Sequence, residues 1–213
     1  KGRDMNIYKL VVAYDGTAYQ GWQVQATGAT LAGTMQRVFT TVFKKEVTLL
    51  GASRTDAGVH ALGQIVRVRT PLVLPAAQLR EAWNNRLPGD ILIRAAEQLP
   101  HFHPHHDVAQ KTYWYHVFLR RPLPQVARYG WFAPMITEHV DWALFLETMQ
   151  AFVGTHDFAA FSRVESADKD TVRTIERITV TPLQRYGVVR IAISGNSFLH
   201  YQIRRMIGAA LRV

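Results

Sequence analysis

The chain has no cysteine, which removes disulfides, thiolate metal sites and cysteine nucleophiles from its chemistry. It has no apolar run approaching the length of a bilayer span, and its first residues lack the apolar centre of a secretion signal. A cytoplasmic location without membrane attachment is therefore expected. Acidic residues are scarce: 16 Asp and Glu stand against 25 Lys and Arg, a net charge of +9, so polyanionic partners are favoured. There is no detachable basic tail either, because residues 1–106 and 107–213 carry +5 and +4. Binding is left to folded surface. The rest of the composition, 48% apolar and 19% charged over 213 residues, suits one large globular core or two small ones.

Residues 6–14 are rich in β-branched and aromatic side chains and predict a strand. Thr30 is placed to cap a helix running to about Lys45, with Leu31, Met35, Val38, Val42 and Phe43 on one face. Strands are predicted over 49–52 and 62–68, a second helix from Pro75 to about Arg86, and a further strand over 91–98. After a break at 99–104 the order begins again. It runs as a strand over 111–119, a helix over 140–152 with Trp142, Phe145, Leu146 and Met149 on one face, and strands over 174–181 and 188–194 joined by the turn Arg185-Tyr186-Gly187. A helix from Phe198 onward follows, with Leu199, Ile203, Met206 and Ala210 as its apolar face. Two α+β halves of ferredoxin-like type are expected, 1–103 and 104–213, each with helices on one face of an antiparallel sheet. The residues ahead of Met5 read as a remnant outside the fold. The chain reads as stopping at Val213 with a helix still in progress, so the second half is expected to be shortened at its C-terminus.

Between the strands at 49–52 and 62–68 lies Ser53-Arg54-Thr55-Asp56-Ala57-Gly58-Val59-His60-Ala61. A carboxylate close to a guanidinium can be held ionised, and an ionised carboxylate can act as nucleophile or base. Gly58 allows the backbone to approach a ligand closely. The alternative is a plain turn, in which Asp56 caps backbone N–H groups.

The whole stretch from Gly51 to Gln64 resembles the signature loop of the TruA family of tRNA pseudouridine synthases. Tyr14-Asp15-Gly16-Thr17-Ala18-Tyr19-Gln20-Gly21-Trp22-Gln23 is similar to that family's first strand and following loop, and Leu87-Pro88-Gly89-Asp90-Ile91 also fits. Phe102-His103 followed by Lys111-Thr112-Tyr113-Trp114-Tyr115 resembles its Phe-His element and basic Tyr-x-Tyr strand. Asn196, Phe198, Arg204 and Gly208 match its last helix. The resemblance implies that the two sheets join into one central sheet with a cleft between the halves. It also implies a cofactor-free isomerase, without metal, that converts uridine to pseudouridine in the anticodon stem-loop of tRNA at positions 38, 39 and 40, working as a homodimer across which a tRNA can bridge.

Residue by residue, the resemblance assigns the catalytic carboxylate to Asp56 and an RNA-contacting, intercalating role to Arg54, since the target nucleotide must leave its stack. Tyr113 becomes the active-site tyrosine that stacks on the everted uracil, and Arg204 the arginine that pairs with Asp56 and keeps it ionised. Taken without the resemblance, Tyr113 is equally an aromatic core residue of a strand, and Arg204 a solvated charge on an amphipathic helix. His60 is read as a phosphate or sugar contact, or else a turn residue; Lys111, Arg120, Arg121 and Arg205 are read as phosphate contacts. His101, His103, His105 and His106 suggest zinc at first sight, but Pro104 separates them and no cysteine assists. His105 also stands where relatives place an arginine. Two other readings compete, a noncatalytic RNA-binding protein or chaperone and an unrelated carboxylate-dependent hydrolase.

Overall fold

In β1 (Asn6–Tyr14), alternation turns Tyr8, Leu10, Val12 and Tyr14 inward, where all four are buried. The computed structural model describes residues 5–163 and 170–212, arranged as two compact units that meet in sequence between Val108 and Ala109. α1 (Leu31–Phe43) starts where the Thr30 hydroxyl accepts from the Gly33 N–H, and it stops where Lys44 turns left-handed at φ 53. β2 (Thr48–Gly51), β3 (Ala61–Thr70), α2 (Ala76–Asn84) and β4 (Ile91–Leu99) complete the first unit. Its sheet order is β2-β3-β1-β4, antiparallel throughout.

Leu31, Met35 and Phe39 of α1 and Leu79 and Trp83 of α2 cover the buried face of this sheet. Each such side chain, fully buried, contributes about 1.5–3 kcal/mol. The Trp83 indole N–H donates to the Met35 carbonyl at 3.2 Å, and its ring meets Phe39 edge-on at 4.8 Å, which ties the two helices together. The buried face of α1 differs from the expected one. Its buried stripe runs Leu31, Met35, Phe39 at a spacing of four, and Val38 and Val42 flank it half-buried.

The second unit comprises β5 (Lys111–Phe118), α3 (Pro134–Thr137), α4 (Trp142–Gln150), β6 (Gly154–Asp157), β7 (Val172–Leu183), β8 (Val188–Gly195) and α5 (Gln202–Ala210). Its antiparallel sheet has the order β5-β8-β7-β6. β5, α4, β7, β8 and α5 repeat β1, α1, β2, β3 and α2 in order and in pairing: β5 lies beside β8 and β8 beside β7, as β1 lies beside β3 and β3 beside β2. The expected pair of antiparallel α+β halves is thus present. β6, a short polar strand added outside β7, was not anticipated.

α4 is shorter than 140–152 because the Asp141 carboxylate accepts from the N–H groups of Ala143 and Leu144 and fixes its start; Phe145 and Met149 are its buried stripe, while Leu146 is exposed. α5 does not begin at Phe198. Tyr201 sits at φ 65, where a right-handed helix cannot pass, and the Gln202 side chain reaches back to accept the Leu199 N–H at 2.8 Å. The buried stripe of α5, which runs from Gln202 to Ala210, is Gln202, Met206, Ile207 and Ala210. Among the described residues, no helix is long and apolar enough to cross a membrane. The residues ahead of Met5 lie outside the described residues.

Candidate active site

The Asp56 loop leaves β2 and returns into β3 through firm backbone contacts. The Ala52 N–H donates to the Ile65 carbonyl at 2.8 Å, and the Gln64 amide donates to the Ser53 carbonyl at 2.5 Å. A hydrogen bond from the Val59 N–H to the Asp56 carbonyl, 3.2 Å, closes a tight turn in which Gly58 takes φ 76. Nothing lies within 4 Å of where a Gly58 Cβ would stand, so this side of the turn faces open space. Asp56 is half-buried and Arg54 exposed, which places the carboxylate within reach of a ligand rather than sealed in the core.

A second segment, 14–22, is packed against this loop. The Trp22 N–H donates to the Thr55 carbonyl at 3.0 Å, the Gly58 N–H to the Tyr19 carbonyl at 3.2 Å, and the hydroxyls of Tyr14 and Thr55 meet at 2.8 Å. Two glycines let the backbones touch. A Cβ on Gly16 would fall 2.0 Å from the Val59 carbonyl oxygen, and one on Gly21, at φ 93, would fall 2.6 Å from that of Thr55. Farther back, the buried indole of Trp22 lies over Gly51, where no Cβ would fit.

Tyr19 anchors the supporting segment. Burial, then its hydrogen bond to Asp90, and then that carboxylate's charge push its phenol far above the ordinary range, so it stays protonated and donates to Asp90 at 2.8 Å. His60 Nδ1 lies 3.2 Å from the Gly16 N–H and 3.1 Å from an Asp15 carboxylate oxygen. With a proton it donates to Asp15, and without one it accepts from Gly16, so either ring state braces the two segments.

In the second unit, β5 carries Lys111, Tyr113 and Tyr115 on the face that bears the core, each half-buried. The Tyr113 ring meets Phe198 edge-on at 5.1 Å. Burial pushes the Tyr115 phenol up, and the charge of Arg204 pulls against it. Burial also lowers Lys111. Arg204 and Arg205 are exposed, and the Arg205 guanidinium donates to the Ser162 carbonyl at 2.5 Å.

Arg54, Asp56 and His60 therefore share one loop of the first unit, while Lys111, Tyr113, Arg204 and Arg205 gather on β5 and α5 of the second. The histidine segment forms a turn in which the His103 N–H donates to the Asp107 carboxylate at 2.7 Å. His103 is half-buried with its ring 4.5 Å from that of His106 and 5.5 Å from that of His105, and burial with the nearby Arg67 charge lowers its pKa. The role of Gly16, Gly21, Tyr14 and Tyr19 as the bed of the Asp56 loop was not read from sequence, although paired glycines near a loop aspartate were the available signal.

The profile of a family described as tRNA pseudouridine synthase matches residues 10–107 and 148–213. A tRNA pseudouridine synthase A from an Exiguobacterium species is 35% identical over 98% of this chain and 83% of its own length. The Thermodesulfovibrio yellowstonii protein of the same name is 34% identical over 96% of this chain and 84% of its own. Protochlamydia amoebophila has a tRNA pseudouridine synthase A 1 at 34%, covering 98% and 82%.

Proposed function

The chain belongs to the tRNA pseudouridine synthase family, isomerases that convert uridine to pseudouridine in tRNA, and from that premise we propose that Asp56 supplies the carboxylate of the reaction. The bond from uracil N1 to ribose C1′ breaks and the base rejoins through C5. C5 gives up a proton and N1 takes one, so atoms are conserved. A carboxylate can serve by attack on C1′, by addition at C6 or by removing the 2′ proton.

The observation that carries this reading is the packing of segment 14–22 under the Asp56 loop at Gly16 and Gly21, with Asp56 left half-exposed above it. A turn that merely joined β2 to β3 would need no such bed, whereas a reacting carboxylate must be held in place. Around it we assign Arg54 to hold the target nucleotide out of its stack, Tyr113 to stack on the uracil, and Arg204 to pair with Asp56. His60, Lys111 and Arg205 contact phosphate or sugar, Arg205 doing so while it braces Ser162. The functional division is 1–103, with the Asp56 loop, and 104–213, with Tyr113 and Arg204. The substrate is the anticodon stem-loop at positions 38, 39 and 40, modified in the cytoplasm by a homodimer.

The test is to incubate the protein and its Asp56→Ala variant with unmodified tRNA, map pseudouridine by position and measure tRNA binding. Product at those positions from the protein, with none from a variant that still binds, is expected. Tight binding by the unaltered protein without any pseudouridine would instead support a noncatalytic RNA-binding protein.

A further inference from the structure

The face of the second sheet opposite α4 and α5 holds an arginine that no carboxylate pairs with among the described residues. Core residues Val117, Ile191 and Ile193 mark the helix-covered face. Antiparallel register places three cross-strand rows on the other: Thr112, Ser194 and Arg177; Trp114, Ala192 and Thr179; His116, Arg190 and Thr181. Trp114 is 48% exposed there, and Arg177, Thr179 and Thr181 are exposed. None of these rows contains a carboxylate.

Arg190 is fixed from two sides. Its Nε–H donates to His116 Nε2 at 3.0 Å, which leaves the ring proton on His116 Nδ1 to be donated to the Tyr129 carbonyl at 3.0 Å. Its guanidinium carbon stands 4.1 Å from the centre of the Trp114 ring. Among the described residues no carboxylate pairs with it. A guanidinium already immobilised, with its terminal donors lacking an acidic partner, binds an anion with little further loss of side-chain entropy, and its planar fork suits phosphate.

We propose that this face binds the phosphate backbone of tRNA, with Arg190 as anchor, Arg177 as a second phosphate contact and Trp114 as a platform for an unstacked base. The proposal rests on tRNA being the substrate and not on the role given to Asp56. A second copy of the same face fits poorly. Packed against itself, the face would bring a second Arg190 and a second Arg177 into the interface with no carboxylate in these rows to offset them.

The test measures tRNA affinity by fluorescence anisotropy over a salt series for Arg190→Ala, Arg177→Ala and Thr181→Glu, the last placing a carboxylate in Arg190's own row. Each arginine removed should lower the slope of log K against log salt by about 0.7–0.9. KM for tRNA should rise while kcat at saturation holds, and Thr181→Glu should weaken binding as well. Affinities and slopes equal to the unaltered protein in all three would overturn the proposal. So would a change in oligomeric mass with unchanged binding, which would assign the face to self-association. If a thermal melt finds Arg190→Ala unfolded, the exposed Arg177 and Thr181 positions decide. Asp56→Ala should keep the full salt slope, so loss of the catalytic reading and loss of this one are told apart.

Discussion

Alanine at Gly58, Gly16 and Gly21, one at a time, separates two costs that the bed of the Asp56 loop imposes. Gly58 has φ 76 and open space beyond it, so Gly58→Ala meets only left-handed strain, about 1–2 kcal/mol. Gly16 has no positive φ, but its new methyl would stand 2.0 Å from the Val59 carbonyl oxygen, more than an ångström inside ordinary contact. Both partners are backbone, so relief requires segment movement, at about 1–3 kcal/mol. Gly21 meets both costs, φ 93 and 2.6 Å to the Thr55 oxygen, for about 2–5 kcal/mol together. At about 2–4 °C per kcal/mol for a chain of this size, Gly58→Ala should lower Tm by roughly 2–8 °C and Gly21→Ala by roughly 4–20 °C. Catalysis separates them further. Movement of about 1 Å in the loop should cost Gly16→Ala and Gly21→Ala about 100-fold in kcat/KM. Calorimetry and pseudouridine kinetics on the three variants make the comparison. If Gly16→Ala and Gly21→Ala lose no more stability than Gly58→Ala and keep their kcat/KM, the loop is not clamped as described.

Tyr14→Phe removes the hydroxyl contact to Thr55 and should lower stability by about 1 kcal/mol in urea titration. Phe39→Ala empties a fully buried position between α1 and Trp83 and should cost about 3–5 kcal/mol by the same method. Burial holds His116 below the ordinary histidine value; its bond to the Tyr129 carbonyl opposes this and the Arg190 charge adds to it. The unfolded chain then takes up the proton first as pH falls, so the stability from the neutral ring is whole above about pH 6.5 and declines below it. The advantage of the unaltered protein over His116→Gln should accordingly shrink between about pH 7.5 and 5.5, and an advantage that grows on acidification would contradict the assignment. Arg204→Ala should lose most of its activity and regain part on addition of guanidinium salts but not of sodium salts, which isolates the charge from the packing of α5.

Strands and caps were the most legible features of this chain. β1 declared itself by its β-branched and aromatic run, and Thr30 by being a capping residue ahead of an apolar periodicity. Helix ends were legible only where a familiar residue marks them. Tyr201 takes a left-handed φ without being glycine, so the late start of α5 was not visible, whereas the end of α1 was placed within two residues. Leu146 looked like core because it is apolar and next to Phe145, yet the stripe of α4 advances by four and leaves it in water. β6 is four residues of glycine and polar side chains, and only its pairing with β7 makes it a strand. At the site, the Asp56 loop could be picked out from its residues, but its bed could not: contact of Gly16 with Val59 spans the chain from β1 to β3 and depends on backbone geometry. The Arg190, His116 and Trp114 network was hidden for the same reason, since register alone sets β8 beside β5.

The most direct measurement follows loss of the C5 hydrogen of uridine from tRNA carrying tritium at that atom, in a single turnover with Asp56→Asn. This isosteric change keeps the loop and removes the carboxylate. The account predicts no tritium release by a variant that binds tRNA as the unaltered protein does. Release at an undiminished rate would contradict it and place the chemistry on another residue.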